Sequence, residues 1–358
     1  MENFDAANAI QDLQYFGEFG GVNPSISDSS TYTFLSAKTM FDTFEGNAEG
    51  CYLYSRHSSP MNLYLAQALA KMEGTEAANV TASGMGAITS TLLQICKSGD
   101  HIVSARTIYG GTYAFLKNFL PPFNIETSFV DINNFEAIEN AIKPNTKVIY
   151  CESVSNPQLI VPDFLAIKSV LKEYNIPLIV DTTMTPWNIF DARKNGVDVE
   201  IISATKYLSG GGHVLGGLIV DNGTFNWKNH ANLEPFFKKF GPFAFMARLR
   251  KETFRNLGAT LTAQSAYLLS LGLETLDLRV QRSCSNALAV AKHLQERSEV
   301  ISVDYPLLEG SRAYANASKQ FSGGGAIVTF SLENKEKAYA FLNALKLIRR
   351  GTNIQDNK

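Results

Sequence analysis

The sequence predicts an α/β architecture, a mostly parallel sheet with helices on both faces, followed by a smaller α+β unit. Three observations predict it. From about residue 78, short β-rich runs alternate with segments whose apolar residues recur at helical spacing, the signature of strand–helix–strand units. Runs such as Leu178-Ile-Val180 and Gly217-Leu-Ile-Val220 are continuously apolar, which fits strands buried on both faces. A length of 358 residues also exceeds the usual size of a single domain.

The elements follow in order. Residues 1–53 are rich in Ser, Thr, Gly and Asn and weakly periodic, and read as an extended N-terminal arm of the kind that reaches a neighbouring subunit. Expected strands are Ala78-Asn-Val-Thr81, His101-Ile-Val-Ser104, Glu126-Thr-Ser-Phe-Val130, Lys147-Val-Ile-Tyr-Cys151, Leu178-Ile-Val180, Glu200-Ile-Ile-Ser203 and Gly217-Leu-Ile-Val220. Helices are expected around 88–95, 135–142 and 164–174, where apolar residues return every three or four positions. Residues 54–240 form the large domain in this reading. After Gly241-Pro242 the pattern is predominantly helical to Arg297. Strands near Val300-Ile-Ser-Val303 and Ala326-Ile-Val-Thr-Phe330 follow, then a helix from Lys335 to about Leu347, so that residues 241–358 make the smaller domain.

Composition excludes several classes. A net charge of −2 with no long basic run argues against a nucleic-acid surface. Cys51, Cys96, Cys151 and Cys284 form no Cys-x-x-Cys pair, and His57, His101, His213, His230 and His293 have no ligand-like spacing, so neither a disulfide framework nor a metal site is expected. The first residues lack the basic start and apolar stretch of a signal peptide, and no apolar run reaches membrane-spanning length. A cytoplasmic protein is the expectation.

The most informative stretch is Ile201-Ile-Ser-Ala-Thr-Lys-Tyr207, read together with Asp181 at the close of Pro177-Leu-Ile-Val-Asp181. A lysine and an acid at neighbouring strand ends are what an enzyme needs to hold pyridoxal 5'-phosphate (PLP). Lys206 forms the Schiff base with the aldehyde, and Asp181 pairs with the protonated ring nitrogen. Ala82-Ser-Gly-Met-Gly-Ala87 follows a strand and opens a helix, a place where backbone N–H groups approach a phosphate. Ser203 and Thr205 add hydroxyl donors close to Lys206. The bland alternatives are a tight strand-to-helix packing turn and a solvated lysine. Ser203-x-x-Lys206 also matches the Ser-x-x-Lys of penicillin-recognising hydrolases, but no Ser-Asp-Asn or Lys-Thr-Gly triplet accompanies it.

These residues resemble the Cys/Met-metabolism family of PLP-dependent enzymes, from about Tyr54 to the end of the chain. Tyr54-Ser-Arg56, Ser83-Gly-Met-Gly86, Tyr109-Gly110, Glu152-Ser153 with Asn156-Pro157, Asp181-x-Thr183 and Ser203-Ala-Thr-Lys-Tyr207 stand in the family's order. The resemblance implies the fold type I (aspartate-aminotransferase-like) transferase architecture with a seven-stranded sheet. It also implies Lys206 as Schiff-base lysine and proton carrier, Asp181 as partner of the ring nitrogen, and Thr183 and Asn156 as supports around the ring. Tyr109 stacks on the ring and assists proton transfer or departure of the leaving group. Gly84, Met85, Ser203 and Thr205 bind the phosphate from one subunit, and Tyr54 and Arg56 bind it from the adjacent one, which implies a homodimer or a homotetramer of two dimers.

Within the family, 212–227 and 243–258 look most like the O-acetylhomoserine sulfhydrylase branch, and Gly111 stands where methionine gamma-lyases carry a cysteine. The expected reaction is γ-replacement on an activated homoserine with sulfide or a thiol, with gamma-lyase elimination as the alternative. His57-Ser-Ser-Pro-Met61 and Gly210-Gly-Gly-His213 depart from the family pattern. Relatives also continue beyond the point matching Lys358 into a segment with the arginine that binds the substrate carboxylate, and Arg349 and Arg350 do not match it. A truncated small domain and a catalytically impaired PLP-fold protein therefore form a further alternative.

Overall fold

The structure is a computed structural model that describes residues 20–75 and 77–356. The first part of the expected arm, residues 1–19, lies outside the described residues. The remainder of the arm holds one helix, α1 (Ala37–Glu45), capped by Ser36 and closed by Gly46 in the left-handed conformation. Its apolar side chains Phe41 and Phe44 are exposed.

Seven strands form the central sheet. They are β1 (Ala77–Thr81), β2 (His101–Ala105), β3 (Glu126–Val130), β4 (Thr146–Glu152), β5 (Leu178–Asp181), β6 (Val199–Ile202) and β7 (Gly217–Asp221), in the spatial order β1-β7-β6-β5-β4-β2-β3. β7 pairs antiparallel with both β1 and β6, and the other pairings are parallel. The parallel run brings the carboxyl ends of β4, β5 and β6 to one edge, with Glu152 opposite Asp181 and Asp181 opposite Ile201. Ligands bind beyond such an edge in open α/β sheets.

Strand periodicity of two divides the buried side chains between the faces. On β7, Leu218 and Val220 join a core with the helix α2 (Pro60–Met72). Ile219 points into the larger core, which holds α3 (Gly84–Ile95). Residues 244–254, beyond Gly241, pack into that same larger core through Ala244, Phe245, Met246, Leu249 and Phe254. A separate small cluster of Ala287, Ala291, Tyr305 and Leu308 sits beside the two-stranded sheet β8 (Ser302–Asp304) and β9 (Thr329–Ser331).

Glu200, on β6, is buried with its carboxylate accepting from Thr182 Oγ1 at 3.0 Å and Asn222 Nδ2 at 3.0 Å. Burial, aided by the charge of Asp191, pushes its pKa from an ordinary 4.5 up to about 7 against those hydrogen bonds. The folded form therefore holds more protons than the unfolded one between these values. The Glu200 contribution to stability is full below pH 4.5 and is lost as pH rises through 7. Glu200→Gln keeps an acceptor for Asn222 and removes the titration. Urea unfolding of both proteins across that range is expected to show a flatter pH profile for the variant.

Candidate active site

Beyond the carboxyl ends of β4, β5 and β6 lies a cavity of about 280 Å³. Each wall follows from a local feature of the chain. β1 ends at Thr81, and Ser83 then caps α3 by accepting from Gly86 N–H at 3.0 Å. The first turn of α3 thus presents Gly84 and Met85 to the cavity, with the free N–H groups and positive end of a 12-residue helix. Gly84 is there because the turn passes close to the lysine loop: a Cβ on it would lie 2.8 Å from Cβ of Ser203. Only a residue without a side chain lets these two segments meet.

The floor is acidic. Asp181 closes β5, accepts from Thr183 N–H at 3.0 Å and is 9% exposed. Thr183 Oγ1 in turn accepts from Ser203 N–H at 2.7 Å, which ties the Asp181 turn to the lysine loop. Glu152 closes β4 beside it, 6% exposed, and accepts from Tyr109 N–H at 2.5 Å. Burial raises the carboxyl pKa of both acids. Asp181 is pulled back by the hydroxyl and N–H of Thr183, whereas Glu152 is raised further by the Asp181 charge and pulled back by the N–H groups of Tyr109 and Asn156. Two carboxylates in one desolvated floor cannot both ionise at low cost, so the pair favours a proton or a cation between them.

Lys206 projects into the same cavity from the loop after β6. Burial lowers the pKa of its amine, against a smaller upward pull from Asp356. A larger neutral fraction is what a lysine needs to attack an aldehyde. The Nζ is hydrogen-bonded to Asn353 Oδ1, and Asn353 Nδ2 donates to Asp356 at 2.6 Å.

Of the residues singled out in the sequence, Gly84, Met85, Tyr109, Asn156, Asp181, Thr183, Ser203, Thr205 and Lys206 all line this cavity. Tyr54 and Arg56 do not. The Arg56 guanidinium sits 5.5 Å from the Tyr54 ring centroid and donates to the Arg255 carbonyl at 2.7 Å. Sequence reasoning quoted Glu152 only within a motif and missed Asn353, Thr352 and Ile354, which also belong to this site. Glu152 carries the same signal as Asp181, an acid at the end of an apolar strand. Asn353 has no local signal, since it meets Lys206 across 147 positions.

A small cavity with an amine, a buried acid opposite and a helix N-terminus suits a PLP molecule by size, charge and donor set. The profile of the Cys/Met metabolism PLP-dependent enzyme family matches residues 6–358. The chain belongs to this family of PLP-dependent enzymes.

Among its relatives, the O-acetyl-L-homoserine sulfhydrylase of Leptospira meyeri is 36% identical, over 86% of this chain and 74% of that one. A methionine gamma-lyase of Arabidopsis thaliana is also 36% identical, over 93% of this chain and 73% of that one. Among solved structures, the O-acetylhomoserine sulfhydrylase of Wolinella succinogenes is 44% identical with a TM-score of 0.80, covering 85% of this chain and 87% of that one. A putative O-acetylhomoserine (thiol)-lyase of Campylobacter jejuni, solved with a pyridoxyl-lysine, has a TM-score of 0.94 at 30% identity, covering 99% and 92%. The mostly parallel sheet with an antiparallel β7 is the fold type I architecture of PLP-dependent enzymes.

Glu152 is the residue whose contribution is easiest to separate. Glu152→Ala leaves the N–H groups of Tyr109 and Asn156 without their acceptor, and unmet buried donors cost about 1–3 kcal/mol. Fluorescence titration of the cofactor-free protein with PLP is expected to show affinity lower by about tenfold or more. Glu152→Gln, which keeps an acceptor oxygen, recovers most of it.

Proposed function

We propose that this chain catalyses γ-replacement on O-acetylhomoserine. A sulfide or thiol displaces the acetoxy group, acetate leaves, and homocysteine or its S-alkyl derivative is the product. The observation that carries the reading is Lys206, an amine of lowered pKa, in one cavity with the buried Asp181. Relatives of the sulfhydrylase type support the choice of substrate.

PLP bound here supplies an electron-withdrawing ring that stabilises negative charge at the substrate α carbon. In this reading Asp181 holds the ring nitrogen protonated, and Thr183 keeps the Asp181 carboxylate in place. Lys206 would take the α proton and carry protons between neighbouring carbons on one side of the substrate. Tyr109 stacks on the ring and donates a hydrogen bond toward the departing acetate oxygen. Asn156 supports the ring from the β4 loop. Gly84 and Met85 offer backbone N–H groups to the phosphate, and the Ser203 and Thr205 hydroxyls complete that side.

The second side of the phosphate belongs to Tyr54 and Arg56 of a neighbouring subunit, so the working unit is a homodimer or a homotetramer built from two dimers. An arginine suits this position because its planar donors engage two phosphate oxygens at once. The free cysteines fit a cytoplasmic setting. Among the described residues no helix is long and apolar enough to cross a membrane.

Elimination is the second reading, favoured by the similarity to a methionine gamma-lyase. It yields 2-oxobutyrate, ammonia and acetate by consuming water in place of sulfide. Proton NMR of a reaction with O-acetylhomoserine and sulfide separates the two. Homocysteine and acetate in equal amounts are expected, and 2-oxobutyrate as main product would overturn replacement. Lys206→Ala is expected to lower either rate by about 10²-fold or more, the usual contribution of a positioned proton carrier.

A further inference from the structure

Residues 352–356 form one wall of the cavity. Thr352 and Ile354 line it, and between them Asn353 accepts from the Lys206 amine through Oδ1. The other end of the same carboxamide, Nδ2, donates to Asp356 Oδ2 at 2.6 Å. A carboxamide has an acceptor oxygen and a donor nitrogen, so Asn353 joins an amine to a carboxylate, and engaging both ends fixes its orientation.

Two observations show that this segment is set in place. Gln355 is buried and has a φ of 66°, a left-handed conformation that residues other than glycine seldom adopt. Its amide Nε2 donates to Met184 Sδ at 3.0 Å, and Met184 itself lines the cavity. Such backbone strain persists where the surroundings determine it. On the opposite side, Gly212 of the lysine loop has a φ of 60°, and a Cβ there would stand 3.1 Å from Asp356 Oδ2 and 3.6 Å from Asn353 Nδ2. The loop that presents Lys206 therefore also leaves the room in which the Asn353–Asp356 pair closes.

The charged and titratable groups around the Lys206 amine are Asp181 from the end of β5, Glu152 from the end of β4, the Tyr109 phenol and Asp356. Asp356 in turn shares a crevice with Arg279 and Arg282 on its far side. Burial lowers the pKa of the amine, and the charge of Asp356 raises it.

We propose that Asn353 and Asp356 are positioning residues for Lys206: Asn353 fixes the direction of the free amine, and Asp356 holds Asn353 in that pose and supplies the negative charge that steadies the ammonium form. This rests on the reading of Lys206 as the proton carrier.

The test uses the full chain as wild type, Asn353→Ala, Asn353→Asp and Asp356→Asn, the last two close in size to the residues they replace. Trace acetylation by acetic anhydride across pH, read on the peptide that holds Lys206 in the cofactor-free protein, follows the titration of that amine without any turnover. Asn353→Ala and Asp356→Asn are expected to move the titration to lower pH, since each removes a group that favours the ammonium form. Asn353→Asp is expected to move it to higher pH, since a carboxylate then faces the amine. The PLP-loaded proteins are compared by exchange of the α hydrogen of L-norleucine, an amino acid without a leaving group, for solvent deuterium, followed by proton NMR. The α carbon–hydrogen bond breaks as Lys206 takes the proton, and a carbon–deuterium bond forms as it returns a deuteron. The neutral amine is the base, so the rise of exchange with pH is expected to move in the same direction as the amine titration. The plateau is expected to fall about tenfold or more in Asn353→Ala, the effect of a misdirected base.

An amine titration that none of the three substitutions moves overturns the proposal. So does slowed exchange with an unmoved titration, the mark of a purely structural role. A borohydride-fixed pyridoxyl group on a lysine other than Lys206 overturns the catalytic part together with the reading it rests on, and acetylation still decides the contact.

Discussion

The constraint on which the site depends is the placement of two carboxylates side by side in a desolvated floor. Parallel pairing of β4 with β5 sets Glu152 opposite Asp181. Both are buried, and the Asp181 charge makes Glu152 harder still to ionise. Such a floor is stable with a proton or a cation above it, and the protonated ring nitrogen of PLP is a cation of the right size. Glu152 accepts from the N–H groups of Tyr109 and Asn156, whereas Asp181 accepts from Thr183.

The surrounding elements deliver complementary groups to that floor. The loop after β6 brings an amine whose pKa burial lowers. Across from it, α3 directs its N-terminus at the cavity, and Gly84 and Ser203 are close enough that no side chain fits between the two segments. The hydrogen bond from Ser203 N–H to Thr183 Oγ1 links the acid turn to the lysine loop. A shift in one strand end would thus be felt on both sides of the cavity.

Much of this was legible in the sequence because it is local. The central strands are short apolar runs, and their limits agree with the structure to within a residue or two. Asp181 and Lys206 stand at strand ends, and the small residues at 82–87 mark a strand-to-helix turn. The less legible parts depend on distant partners. Ala37–Glu45 is a helix within a stretch that reads as extended, since nine residues give too short a period to stand out. The strands of the small sheet, expected at 300–303 and 326–330, fall at Ser302–Asp304 and Thr329–Ser331, where pairing with each other decides the limits. Asn353 reaches Lys206 only through the tertiary fold.

The central claim is that PLP is carried by Lys206. Borohydride reduction of the PLP-loaded protein, followed by proteolysis and mass mapping, tests it most directly. A single pyridoxyl group on the peptide containing Lys206, lost in Lys206→Ala, is the predicted result. Label on another lysine, or none at all, would contradict the account.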